Sequence, residues 1–289
     1  MSVVRNGRAG GAPERDALVR ALCAAGIDAE IVDVRDGLDA RAAAGAAGVG
    51  SSGGVLVAAG GDGTVSAVAA AASATGRPFG VIPCGTLNHF ARDMQIPTAL
   101  DEAIAVLAAG RTRVIDAGDV NGRLFINNAS LGAYPRMVWE RNRARRRGLP
   151  RPLAMAVAVA RTWMALRTDI VRATVDGAAI VRRTPFIFVG NSEYEVEGTD
   201  IGRRPVMTDG TLSLTLAPKF GRADALLLPL RVILRTLERH ESFETMRAST
   251  IVMQTARPRV SVALDGEVRV FDAPLTFTVR RGALTVVVP

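Results

Sequence analysis

Cysteine, histidine and lysine are scarce in this 289-residue chain, and each scarcity removes a class of chemistry. The two cysteines, Cys23 and Cys84, stand 61 residues apart, which excludes a disulfide framework or a Cys-rich zinc site and suits a reducing compartment. With His89 and His240 as the only histidines, a His-clustered metal centre is excluded, and a Ser-His-Asp triad would have to use one of those two. Lys219 is the single lysine, so 35 of the 36 basic residues are Arg and no GK[ST] Walker loop exists. Aromatics make up 4% of the chain, too few for the interleaved basic and aromatic surface by which a sheet or groove holds nucleic acid. Long apolar runs are missing too. The two most apolar stretches, residues 153–166 and 223–234, are each interrupted by an Arg. As helices they would span about 18–21 Å, against about 30 Å of hydrocarbon. The first five residues lead straight into a short strand without the apolar core of a secretory signal, so the expected location is cytoplasmic.

What remains is an ordinary globular composition, 48% hydrophobic and 22% charged, with a net charge of +8. That charge is unevenly placed. Residues 136–151 hold seven Arg and one Glu, a local sum of +6. Arg136, Trp139, Arg141, Arg143, Arg145, Arg146 and Arg147 mix basic, aromatic and apolar character just before the apolar stretch that opens at Leu153. The mixture reads as a peripheral surface for anionic lipid headgroups, with a solvated helical face or an RNA-binding arm as the plainer readings.

Two units are expected. Residues 1–115 alternate short apolar runs with helical ones, the pattern of a parallel α/β domain. Strands are expected at Val3-Val4, 29–34, 53–59 and 79–83, with helices at 15–25, at 65–74 and from a Thr98-x-x-Asp101 capping box to Ala109, stopped by Gly110. Residues 116–289 switch to polar–apolar alternation broken by Asn121-Gly122, Asp176-Gly177, Asp209-Gly210 and Asp265-Gly266, each a tight-hairpin signal. This half is expected to be a mainly antiparallel β-sandwich, with the last residues packing back on the first unit.

Chemistry is concentrated in two loops that each follow a strand and open a helix. Gly60-Gly61-Asp62-Gly63-Thr64 offers glycines for close anion approach and for positive φ, at a helix end where free N–H groups and the dipole favour phosphate. Pro83-Cys84-Gly85-Thr86-Leu87-Asn88-His89-Phe90-Ala91-Arg92 repeats the arrangement one strand later. Two such loops at the carboxyl edge of one parallel sheet converge on a crevice suited to a nucleotide.

These two loops resemble the catalytic domain of the diacylglycerol kinase family, which includes bacterial lipid kinases and the sphingosine and ceramide kinases. Asn6-Gly7-Arg8-Ala9-Gly10 keeps the Asn and final Gly of that family's N-P-x-S-G opening, and Asn127 to Gly132, Val189-Gly190-Asn191, Gly198, Asp209-Gly210 and Asp265-Gly266-Glu267 follow in its order. The resemblance implies that Asn6, Gly60, Gly61, Asp62, Gly63, Thr64, Gly85, Thr86 and Asn88 hold ATP. It implies that Asp265 takes the proton of a lipid hydroxyl. It also places Asp209, with the backbone of Val206 and Thr211, at a structural Mg²⁺ position of some bacterial members. The acceptor so implied is a lipid alcohol, diacylglycerol foremost, with sphingoid bases and ceramides as alternatives. NAD kinases and phosphofructokinases share a related GGDG[TS] loop, which keeps a soluble small-molecule kinase open. A basic nucleic-acid-binding protein is the non-enzyme alternative. From spacing alone, Asp176, Asp209 and Asp265 serve turn geometry, His89 lies on a helix surface, Cys84 is a packed small residue, and Asp116 and Asp119 are metal or salt-bridge carboxylates.

Overall fold

A computed structural model describes residues 1–35, 44–45, 54–166, 168–193, 207–217 and 243–289. The first part contains β1 (Ser2–Asn6), α1 (Arg15–Ala24), β2 (Glu30–Val34), β3 (Leu56–Gly60), α2 (Asp62–Thr75), β4 (Phe79–Pro83), α3 (His89–Asp93) and α4 (Leu100–Ala109). The strands pair in parallel in the order β2-β1-β3-β4, with Val3 beside Ile31 and Val57, and Leu56 beside Phe79. Helices cover both faces, which is why these strands read as unbroken apolar runs. Val4, Ala58 and Val81 pack with Val65, Val68 and Phe90 of α2 and α3, while Val3, Val57 and Ile82 pack with Leu18, Leu22, Ile104 and Leu107 of α1 and α4.

The second part contains β5 (Thr112–Val120), β6 (Arg123–Phe125), β7 (Asn128–Gly132), α5 (Ala133–Arg146), α6 (Arg151–Met164), β8 (Asp169–Val175), β9 (Ala178–Thr184), β10 (Phe186–Asn191), β11 (Leu212–Leu216), β12 (Glu244–Ala248), β13 (Thr250–Gln254), β14 (Arg259–Leu264), β15 (Glu267–Asp272) and β16 (Leu275–Val287). One wall of the sandwich is an antiparallel sheet in the order β12-β11-β10-β7-β14-β15. The facing wall is not separate. It continues the parallel sheet, because β16 pairs in parallel with β4, placing Val286 beside Phe79, and in antiparallel fashion with β5 and β13, to which β8 and β9 are added. Between the walls lie Phe125, Leu131, Val189, Leu214, Ile251, Met253, Leu264, Phe271 and Phe277, every second residue of their strands. At one edge the Arg182 guanidinium forks onto both Glu244 carboxylate oxygens at 2.7 Å, tying β9 of one wall to β12 of the other and holding the Glu244 carboxyl below its ordinary range.

The architecture is the expected α/β plus β, with informative differences in detail. Helix α2 begins at Asp62 rather than at 65. Gly61 is extended (φ −88°, ψ −177°), and its carbonyl accepts from the N–H groups of Thr64 and Val65, so Asp62-Gly63-Thr64 is itself the first helical turn. None of Gly60, Gly61 and Gly63 has positive φ, so what the glycines supply there is space. The Thr98 box does not form: the residue capping α4 is Ala99, with no side-chain bond, while Gly110 ends the helix at φ 65°. Asn121-Gly122, Asp176-Gly177 and Asp265-Gly266 are hairpin turns with both residues at positive φ. At Asp209-Gly210 only the glycine is left-handed, and the segment leads into β11 without forming that turn. Residues 223–234, Gly198 and Val206 lie outside the described residues.

Asp176 shows how such a turn acquires a second use. Its carboxylate accepts from Ser249 N–H, Ser249 Oγ and Thr250 N–H at 2.8–3.1 Å, pinning the β8–β9 turn to the β12–β13 turn, and these donors lower its pKa from the ordinary 3.8. A carboxylate with a depressed folded pKa contributes stability that is fully present above its unfolded value and disappears as pH falls through the folded one. Asp176→Asn, which keeps the turn, is therefore expected to melt below the wild type at neutral pH. The gap should close at pH values below 3.8. Thermal scans across that range check it.

Candidate active site

Three loops leave the carboxyl ends of β1, β3 and β4 side by side and enclose a cavity of about 250 Å³ lined by Asn6, Arg8, Ala9, Gly10, Gly61, Asp62, Gly63, Thr64, Gly85, Thr86 and Arg151. The loops are fastened to one another by specific bonds. Arg5, reaching from β1, donates twice to the Pro13 carbonyl and pairs with Asp33 at 2.5 Å, which fixes the path of the first loop. Gly11 N–H donates to the Cys84 carbonyl at 3.0 Å, and Asn6 Nδ2 donates to Thr64 Oγ1 at 3.1 Å. Asp62 Oδ1 accepts from the His89 N–H at 2.9 Å, joining the first turn of α2 to the start of α3. Gly61 and Gly85 face each other so closely that a methyl group on Gly85 would lie 2.8 Å from Gly61 Cα and 2.7 Å from Asn88 Oδ1. The site thus needs glycine for backbone approach.

The expected residues divide by what they do. Asn6, Gly61, Asp62, Gly63, Thr64, Gly85 and Thr86 line the cavity. Gly60 lies just behind it, where any Cβ would meet the Thr64 side chain at 2.7 Å. Asn88 does not line it. In left-handed conformation (φ 49°), Asn88 accepts from Gly85 N–H at 2.8 Å and donates to the Gly85 carbonyl at 2.9 Å, so its side chain shapes the second loop. The N–H groups of Asp62 and Gly63 have no hydrogen-bond partner among the described residues and open the positive end of α2 toward the cavity. His89 is exposed, and Cys84 is buried with its thiol pushed up to about 11, an inert packed residue.

Asp265 occupies the turn between β14 and β15 and is buried against α2. Its Oδ1 accepts from the N–H groups of Asn127 (2.8 Å) and Asn128 (3.1 Å), and its Oδ2 from Ile126 N–H (3.1 Å) and Ser66 Oγ (2.6 Å). Burial raises its pKa, and the Ser66 hydroxyl and the three amides oppose that rise. Ser66, one helical turn into α2 and only half-buried, bonds this carboxylate to the helix whose first turn lines the cavity. Two residues further on, Glu267 brings Oε1 to within 3.1 Å of where a Cβ on Gly63 would be.

One residue that lines the cavity, Arg151, carried no sequence signal for it. Arg151 belongs to the arginine-rich segment, yet at the first turn of α6 it lines the same cavity as the glycine loops. It and the Arg8 guanidinium make no ion pair among the described residues, which leaves two cations facing one cavity. A larger cavity of about 460 Å³ at Asn121, Arg123, Arg269 and Phe271 touches neither glycine loop.

The carboxylates proposed for metals are engaged elsewhere. Asp209 accepts from Ser192 Oγ, Thr211 N–H and Thr211 Oγ1, while the Thr211 carbonyl accepts from Ser192 N–H. Val206, the third member of that set, lies outside the described residues. Asp116 clamps the N–H groups of Gly210 and Gly282 at 2.9 and 2.8 Å, and Asp119 accepts from Gly122 N–H and lies 2.6 Å from Arg280. No group of three or more His, Cys, Asp or Glu gathers among the described residues. No described helix is long and apolar enough to cross a membrane.

Gly85→Ala is expected to force the two loops apart, costing about 1–3 kcal/mol as overpacking does. ATP–Mg²⁺ should then stabilise the variant far less than the wild type in thermal melts. An unchanged nucleotide-induced shift would mean that the facing glycines do not form the nucleotide site.

Comparison with known proteins agrees with this geometry. Residues 1–120 match the diacylglycerol kinase catalytic domain, and residues 131–288 match the YegS C-terminal NAD kinase beta sandwich-like domain. The "Uncharacterized protein sll0036" of Synechocystis sp. is 28% identical over 220 residues, 74% of this chain and 50% of its own length. A diacylglycerol kinase of Staphylococcus saprophyticus is 42% identical over 88 residues, 30% of this chain and 29% of its own length. The chain therefore spans half the length, or less, of these curated relatives. Two solved structures from Bacillus anthracis str. Sterne, the second described as a diacylglycerol kinase, superpose over 100% of this chain and 96% of theirs, with TM-scores of 0.74 and 0.71 at 20% and 18% identity. At that identity they establish the fold. The two family matches run over nearly all of the sequence, and the loops they span are those that enclose the cavity: the chain belongs to the diacylglycerol kinase catalytic-domain family, with a YegS-type sandwich as its second half.

Proposed function

We propose that this kinase-family chain transfers the γ-phosphoryl group of ATP–Mg²⁺ to the hydroxyl of a lipid alcohol, diacylglycerol before sphingoid bases or ceramides, at the inner face of a membrane. The observation that carries the reading is the convergence of two glycine loops, a helix N-terminus and two arginines without an ion pair among the described residues on one cavity, with the buried Asp265 carboxylate bonded to the same helix. Phosphoryl transfer demands positioning and charge neutralisation more than covalent chemistry. Without a Walker lysine, the α2 amides, Arg8 and Arg151 supply fixed positive charge. A bound Mg²⁺ would supply further charge neutralisation at the phosphates, and Asp62, which lines the cavity, and Glu267, beside Gly63, are the carboxylates that would hold it, as hard oxygen ligands.

In the reaction the acceptor oxygen attacks the γ-phosphorus, and the bond from phosphorus to the β,γ-bridging oxygen breaks with its electron pair going to ADP. The acceptor proton passes to Ser66 Oγ as the Ser66 proton passes to Asp265. The 2.6 Å bond between those two groups supports the relay, and burial gives the carboxylate its proton affinity.

The decisive experiment is incubation with radiolabelled ATP, Mg²⁺ and a panel of diacylglycerol, ceramide and sphingosine in mixed micelles, with NAD and fructose 6-phosphate as soluble competitors. Label in a lipid product is expected, and label only in a soluble product would overturn the lipid assignment. Asp265→Asn keeps an Asn-Gly turn but sets an amide against backbone N–H donors, so a stability loss of about 1–3 kcal/mol is expected along with a fall in transfer of about 10²-fold or more. Ser66→Ala removes a bond that lowers the Asp265 pKa, so its pH–rate profile should show the acid limb displaced to higher pH. An unmoved limb would remove Ser66 from the relay.

A further inference from the structure

Helices α5 and α6 form an antiparallel hairpin on the outer face of the sandwich, with the turn at Gly148 (φ 86°). Helix α6 is inverted relative to an ordinary surface helix. The face that it turns inward is small and partly polar, with Ala154, Ala158 and Thr162 buried at four-residue spacing. The face that it turns to solvent is apolar throughout: Leu153, Met155, Ala156, Val159, Ala160 and Met164, with Leu153 52% and Met164 62% exposed. Trp139 on α5 is 52% exposed, with the Arg143 guanidinium 5.2 Å from its ring centre. The neighbouring helix α5 and its C-terminal end carry the exposed Arg136, Arg143, Arg145, Arg146 and Arg147. The hairpin's one acid, Glu140, is buried and paired with Arg161 at 3.0 Å, so nothing acidic faces outward. An exposed apolar helix face packed beside a helix that bears exposed arginines is complementary to a bilayer with anionic headgroups, apolar residues entering the acyl boundary and guanidinium groups meeting phosphates.

The same helix carries Arg151 into the phosphate cavity. We propose that the α5–α6 hairpin is the element by which the chain docks on an anionic bilayer, and that docking holds α6 so that Arg151 stays at the phosphate loops, making nucleotide engagement stronger at the membrane than in solution. The second clause rests on the kinase reading of that cavity. The first does not.

Both tryptophans, Trp139 and Trp163, lie in the hairpin, so intrinsic emission reports on it alone. The wild type should co-sediment with vesicles of equimolar phosphatidylglycerol and phosphatidylcholine, with a blue-shifted emission that added salt reverses, and should bind pure phosphatidylcholine vesicles at least ten-fold less. Leu153→Glu, Val159→Glu and Met164→Glu combined, all at exposed positions, should lose vesicle binding ten-fold or more while melting as the wild type does. Wild-type affinity for inorganic tripolyphosphate should rise several-fold when anionic vesicles are added. That gain should vanish in the triple variant and in Arg151→Ala, and Arg151→Ala should still sediment. Equal sedimentation of the triple variant, or concentration-dependent self-association of the wild type in place of vesicle binding, overturns the docking surface. Docking with no change in tripolyphosphate affinity overturns the coupling. Failure of the lipid-kinase assay with both of these results intact overturns only the function proposed above.

Discussion

One buried carboxylate organises the junction of the two halves. Asp265 gathers three consecutive backbone N–H groups at the β6–β7 passage and a hydroxyl from α2, so that the β14–β15 hairpin, the strand that leads into the sandwich and the helix that begins at the phosphate loop meet at one point. A charge so enclosed is tolerable only when its lone pairs are all engaged, and removing any donor leaves it underserved. The cleft geometry inherits that stringency. Glu267 comes close to Gly63 because the turn two residues before it is held in place, in part by its bond to Ser66 of α2.

Against this junction the exposed ion pairs weigh little. Arg259 with Asp272 sits in solvent and is worth about 0–1 kcal/mol. The Glu140–Arg161 pair lies between that limit and the roughly 3–5 kcal/mol lost when one partner of a fully buried pair is removed, because Glu140 is buried while Arg161 is partly wet. It fixes the hairpin that presents the inverted face of α6.

Local features of the site were readable from sequence, and long-range ones were not. Gly60 to Thr64 and Gly85 to Asn88 announce themselves because strand-to-helix turns with glycines leave few conformations, and the order of strands and helices follows from runs of apolar residues. The register of function inside those loops is less legible. Asn88 looks like a ligand-facing residue, yet its amide is consumed by Gly85, a detail set by its left-handed backbone. Thr98 offers a capping oxygen that the chain passes by, since the helix starts one residue beyond Ala99. Asp265 and Ser66, 199 residues apart, meet only through tertiary packing, and so does Arg151 with the glycine loops whose cavity it lines. Asp209-Gly210 carries the same dipeptide as two true hairpins, Asp176-Gly177 and Asp265-Gly266, but sits where β11 is entered from elsewhere, so composition alone does not separate it from them.

Strand β16 has a consequence for how such a protein can be divided or recombined. Its thirteen residues lie against β13 in the sandwich at one end and against β4 of the nucleotide-binding sheet at the other, with β5 alongside for most of its length. The nucleotide-binding half consequently takes its bordering strand from the far end of the chain. Residues 1–115 expressed alone would expose the open edge of β4, an unpaired row of backbone groups that invites strand-to-strand association. A chimera that exchanged nucleotide-binding halves between relatives would have to carry β5 and β16 together, although more than a hundred and fifty residues separate them. Sequence order shows two units in succession, but hydrogen bonding makes them a single sheet with a sandwich folded over one end.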